Sequence, residues 1–131
     1  ISYSFFYLAG ISGAGRGTEG ALRSAEVFNQ TRPVRVGSSM LTVFPSSELY
    51  REIQAGNWRE EGELEKLEEL KTLVGHLDIP TRFETDGDSN LVRVRGDLPR
   101  DREALAGYLE RLIAGADEEA LRAYRVNLRH L

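Results

Sequence analysis

The chain contains no cysteine, which excludes a disulfide framework, a thiolate metal site and a cysteine nucleophile within its 131 residues. It has no apolar run approaching the ~18 residues of a membrane-crossing helix, so no membrane is expected as a partner and the composition reads as cytoplasmic. Histidine is almost as scarce: His76 and His130 lie far apart in sequence, and neither has a partner at metal-ligand spacing. Lysine is nearly missing, with two residues against fifteen arginines. Those arginines scatter over the chain instead of lining one face, so they do not form the basic stripe of a nucleic-acid binder.

What is present is an ordinary globular composition, 40% hydrophobic and 29% charged, at a length that fits one domain. The net charge of -4 is unevenly placed. Residues 1–58 carry five arginines and four glutamates, whereas residues 59–131 carry twelve basic and seventeen acidic side chains, a further argument against nucleic acid. The chain enters a strand directly at Ile1, with no start methionine, basic n-region or cleavage site, and so reads as a piece of something longer.

Residues 1–45 organise the rest. An aromatic-rich apolar run over 1–9 predicts a strand buried on both faces, as in parallel sheets. Residues 10–17 supply four glycines, a turn able to take positive φ. Thr18 is the expected cap of a helix over 18–29 that packs through Ala21, Leu22, Ala25 and Phe28. Val34 to Phe44 reads as a second strand, interrupted at Gly37-Ser38-Ser39 by a bulge or a ligand-facing surface. Strand, helix and strand in this length make a βαβ crossover.

Further on, Pro45-Ser46-Ser47-Glu48 opens a helix closed by Gly56. Leu64, Leu67, Leu70, Val74 and Leu77 form the apolar stripe of a longer helix, whose Glu and Lys residues read as a solvated face. Segments 80–84 and 91–95 flank an Asp-Gly turn and predict a hairpin. Asp86, Asp88 and Asn90 in that turn lack the downstream glycine and glutamate of a calcium loop, so no metal is expected. Two helices follow, one through Leu105, Tyr108, Leu109 and Leu112, the other from an Asp117 cap through Leu121 and Tyr124.

Gly15-x-Gly17-x-x-Gly20 fits a dinucleotide fingerprint in the required strand-to-helix context. The second strand ends in Val43-Phe44-Pro45 without the acid that holds ribose hydroxyls, and the loop is long for that motif. The alternative reading is a free-standing α/β module that holds a nucleotide or phosphate on the loop at 13–20. A third is that the glycines only make the turn.

The run Phe6-Tyr7-Leu8-Ala9-Gly10-Ile11-Ser12-Gly13, the helix after it and Pro45-Ser46-Ser47-Glu48-Leu49-Tyr50 with Gly56 resemble the C-terminal part of a radical S-adenosylmethionine (SAM) enzyme. Ser46 stands where that family has glycine in a P-G-T-x-L-Y type segment. Asp88-Ser89-Asn90 and Gly96-Asp97-Leu98-Pro99-Arg100-Asp101 are similar to the ending of its coproporphyrinogen-oxidase-like branch of iron-sulfur oxidoreductases. The resemblance implies the C-terminal half of a partial (β/α) barrel with parallel strands over 1–58, followed over 59–131 by helices and a short β-hairpin in one compact unit. It implies that Gly10, Ile11 and Gly13 match the adenine-side G-x-I-x-G element, with the family's terminal Glu displaced, and that Thr42, Val43 and Phe44 present backbone to adenine or to a small-molecule substrate. The [4Fe-4S] cluster would be ligated by cysteines upstream of Ile1, leaving this chain inactive alone, with neither cofactor bound. A cut barrel would also leave the first strand as an open edge through which copies self-associate.

Overall fold

The computed structural model describes residues 1–128; His130 lies outside them. Four strands and five helices follow in the order β1 (Ser4–Ala9), α1 (Gly17–Thr31), β2 (Arg35–Met40), α2 (Glu48–Gln54), α3 (Glu63–His76), β3 (Thr81–Thr85), β4 (Arg95–Leu98), α4 (Arg102–Gly115) and α5 (Glu118–Val126). The sheet order is β1-β2-β3-β4. The first three strands are parallel and β4 returns antiparallel to β3. This is the expected α/β architecture: a mostly parallel, open sheet consistent with part of a barrel.

Strand alternation decides which face is covered. Tyr7, Ala9, Val36, Ser38, Met40, Phe83, Thr85 and Leu98 are buried on one face. There they meet Ala21, Ala25 and Phe28 of α1, the leucines of α3 and Leu105 and Leu109 of α4 in one apolar core. Phe83 and Leu70 are wholly buried, each contributing about 1.5–3 kcal/mol by removal from water. That core runs through both 1–58 and 59–131.

The opposite face carries Phe6 and Leu8 of β1, Arg35, Gly37 and Ser39 of β2, Arg82 and Glu84 of β3, and Arg95 and Asp97 of β4, matched by the strand register. No helix covers it among the described residues. Phe6 is 74% exposed and lies over Gly37, where a Cβ would come within 3.0 Å of its ring. Arg35 stacks on the same ring at 5.3 Å and pairs with Glu84. β1 is therefore buried on one face only, and its apolar run reads as two-sided because Phe6 and Leu8 belong to the bare side.

Several local expectations shift. Arg16, not Thr18, precedes α1, with no side-chain cap. Leu22 is 40% exposed, so the α1 contact is made by small residues and Phe28. Gly37-Ser38-Ser39 stays in unbroken register with β1, so there is no bulge. The hairpin forms, but its second strand begins at Arg95, because Val92 and Val94 are drawn into the core from an irregular segment. Ser47 caps α2 by accepting from the Tyr50 amide at 3.1 Å, and Asp117 caps α5 through the Glu119 and Ala120 amides.

Candidate functional site

The C-terminal ends of β1 and β2 point into a buried cluster of charged side chains. Its largest contributor is α3, on the face that sequence periodicity assigns to solvent. Glu61, just before the helix, and Glu63, Lys66 and Glu69 on it are at most 1% exposed. Spacing of three places the last three in one row, turned away from the leucine stripe toward the strand ends. The expectation of a solvated face is overturned here because α1 and β1 on one side, and α5 on the other, close over these residues.

The cluster has two halves. In the first, Glu69 accepts hydrogen bonds from the Tyr7 hydroxyl and, at 3.0 Å, from the Gly10 amide. Glu61 lies beside it. Burial, together with the neighbouring Glu69 carboxyl, pushes Glu61 up to about 9, so this pair holds a proton at neutral pH. Tyr7 is pushed far up by burial and then by Glu69, and remains a neutral donor. Gly17 permits the arrangement: a Cβ there would lie 2.7 Å from a Glu69 oxygen and closer still to Glu61.

In the second half, Arg125 of α5 reaches Glu63 with its Nε at 2.7 and 2.8 Å from the two carboxylate oxygens, and Thr42 Oγ1 at 2.7 Å. Arg122 binds both oxygens of Glu60, at 2.8 and 2.5 Å, and Glu63 at 3.3 Å. Lys66 Nζ donates to the Leu41 carbonyl at 3.1 Å and to Glu63 at 3.3 Å. Burial, then the Arg125 charge, lowers Lys66 from its ordinary value. Burial alone would raise Glu60, but Arg122 and Lys66 outweigh it and hold the carboxyl below its usual range. Glu118 of α5 completes the frame by accepting from the Glu63 and Leu64 amides at the start of α3.

This frame fixes the expected site residues. Gly10 has φ +97° and Gly13 +88°, values that favour glycine. A Cβ on Gly10 would meet Lys66 Cε at 2.9 Å, and one on Gly13 would meet the Trp58 indole nitrogen at 2.9 Å. Both glycines are thus closed against the chain's own side chains, while Ile11 between them is 52% exposed. Thr42 is held by Arg125, and with Val43 and Phe44 it lines a cavity of about 370 Å³ between α2 and α5. Gly10 and Thr42 therefore touch the same ionic frame through Lys66 and Arg125.

The loop at 13–20 has a different character. The Gly15 amide donates to Glu65 at 3.0 Å, and Glu61 and Glu69 crowd Gly17. An acidic wall at the start of α1 disfavours a phosphate there. The described residues include no group of three or more His, Asp or Glu able to hold a metal ion, and no helix among them is long and apolar enough to cross a membrane.

No family model, curated protein or solved structure matches this chain. The residues that sequence reasoning missed are Glu61, Glu63, Lys66, Glu69, Arg122 and Arg125. One signal was available: Glu63, Lys66 and Glu69 share a row, and glycines at 10 and 17 leave room for it.

Proposed function

We propose that this chain closes one side of a (β/α) barrel of the radical SAM type, and that it contributes part of the SAM and substrate side of an iron-sulfur oxidoreductase. The observation that carries the reading is the bare, mixed apolar and polar face of a parallel sheet whose edge strand β1 is paired on one side only. Parallel sheets are ordinarily covered on both faces. Further parallel strands added beyond β1 would curl this sheet over Phe6, Gly37 and Glu84 and turn the bare face into a lumen. The motif resemblance at Gly10-Ile11-Ser12-Gly13 and Pro45 to Tyr50 supports the same reading.

The residues present do not fit the iron-sulfur cluster, because the chain has no cysteine to ligate it; the proposal places those ligands on residues preceding Ile1. SAM, if bound, would supply hydrogen-abstraction chemistry, with the electron for its cleavage coming from a cluster held outside this chain. The groups of this chain suited to that cofactor are at the strand ends. Ile11 and Phe44 offer apolar contact to an adenine ring, and the backbone of Val43 offers polar atoms. Gly10 and Gly13 act one step back, shaping the turn that presents Ile11. Lys66 and Arg125 hold the backbone and side chain of Leu41 and Thr42 in place.

The test is reductive cleavage of SAM by the polypeptide that includes the residues encoded before Ile1. With dithionite, it should release 5'-deoxyadenosine, and this chain alone should release none. A reduced, cluster-loaded protein that leaves SAM intact, or a coding sequence that starts at Ile1, would overturn the proposal.

A further inference from the structure

We infer that the cavity between α2 and α5 binds an amphipathic carboxylate, with the carboxylate on Arg122 and Arg125 and an apolar body against the wall made by α2 and the segment that follows β2. The cavity volume of about 370 Å³ is in the range of small-molecule sites. Val43, Phe44, Tyr50, Ile53 and Val126 form its apolar wall. Its charged lining residues are Arg122, Arg125 and Glu60, with Glu63 behind them paired to both arginines.

Donor count gives the ligand its chemistry. A guanidinium carries five N–H donors in a planar fork matched to carboxylates. Arg125 is only 2% exposed, and its described partners are Glu63 through Nε, Thr42 through one terminal nitrogen and the Met40 sulfur at 3.5 Å through the other. Each terminal nitrogen therefore keeps one N–H uncommitted among the described residues. Arg122 gives its three hydrogen bonds from terminal nitrogens to Glu60 and Glu63, leaving Nε uncommitted on the same basis. The buried Arg125 donors favour an acceptor, and Arg122, whose side chain is 42% exposed, offers its Nε from the rim. An anion satisfies donors on both arginines, whereas a neutral alcohol satisfies one and a cation none. The apolar wall then requires that the anion carry a hydrocarbon body.

The inference does not rest on the barrel reading, since this chain's own residues form the cavity. The experiment titrates the 131-residue chain with octanoate, octanol and octylamine, following arginine Nε–H signals by NMR and heat by calorimetry. Octanoate should bind saturably and shift the Arg122 and Arg125 signals, and octanol should bind at least tenfold more weakly. Arg122→Gln should weaken octanoate about tenfold with little effect on octanol. Val126→Asp, which puts a negative charge into the apolar wall, should weaken both ligands and octanoate the more, with far-UV circular dichroism confirming that the variant is folded. Equal binding of octanoate and octanol, no saturable binding in the millimolar range, or unchanged octanoate binding in Val126→Asp would overturn the inference. Octanoate binding by a chain that shows no SAM cleavage in the longer polypeptide would leave this site standing and remove the barrel reading.

Discussion

Replacing Glu63 by glutamine tests the frame at its most connected point. The carboxylate is wholly buried and bridges Arg125, Arg122 and Lys66. The substitution keeps size and shape but removes the charge, leaving Arg122 and Lys66 with Glu60 and the buried Arg125 with no carboxylate partner among the described residues. Breaking a buried pair by removing one partner costs about 3–5 kcal/mol, most of it the cost of uncompensated buried charge. For a domain of this size that lowers the melting temperature by on the order of 10–20 °C. Urea unfolding followed by far-UV circular dichroism should show a lower midpoint with an unchanged slope. The half-exposed Glu68→Gln, which disturbs a surface pair with Lys71, should stay within about 0.5 kcal/mol of wild type. A Glu63→Gln loss below about 1 kcal/mol would refute the claim that these charges are buried together.

Three further outcomes follow from the same geometry. Glu61, raised from 4.5 to about 9 beside Tyr7, Glu69, Glu65 and Lys66, binds its proton more tightly folded than unfolded. Its contribution is full below pH 4.5 and is lost between there and about pH 9, at most about 1.4 kcal/mol per pH unit, so Glu61→Gln should flatten the fall of stability with rising pH in urea titrations; an unchanged profile refutes the shared proton. Gly10→Ala, at φ +97° and against Lys66, should cost more than the roughly 1 kcal/mol of an ordinary glycine position, read by thermal melting; a neutral result would mean that the turn is not built as described. The open β1 edge should make the chain associate at high concentration in sedimentation runs, and Phe6→Lys should reduce this; a strictly monomeric profile for the parent chain counts against it.

The fold was legible where local chemistry and burial agree. The glycine turn, the Ser47 and Asp117 caps and the leucine stripe of α3 each carry their own signal within a few residues. The one-sided burial of β1 was not legible, because Phe6 and Leu8 are as apolar as Tyr7 and Ala9 and only the absence of a covering layer separates them. The site was less legible still. Periodicity assigns one buried stripe to a helix, and α3 has two: leucines toward the sheet, and Glu63, Lys66 and Glu69 toward the strand ends. Their partners Arg122 and Arg125 arrive from α5, about 60 residues later, with no local mark that distinguishes them from the solvent arginines of the other helices.

Amide hydrogen exchange across β1 tests the central proposal most directly. In this chain alone, the β1 amides that face away from β2 should exchange quickly, while those bonded to β2 are protected. Joined to the residues encoded before Ile1, the outward amides should become protected as a further strand pairs with them. If they exchange equally fast in the longer polypeptide, β1 is a true edge and the sheet is not part of a barrel.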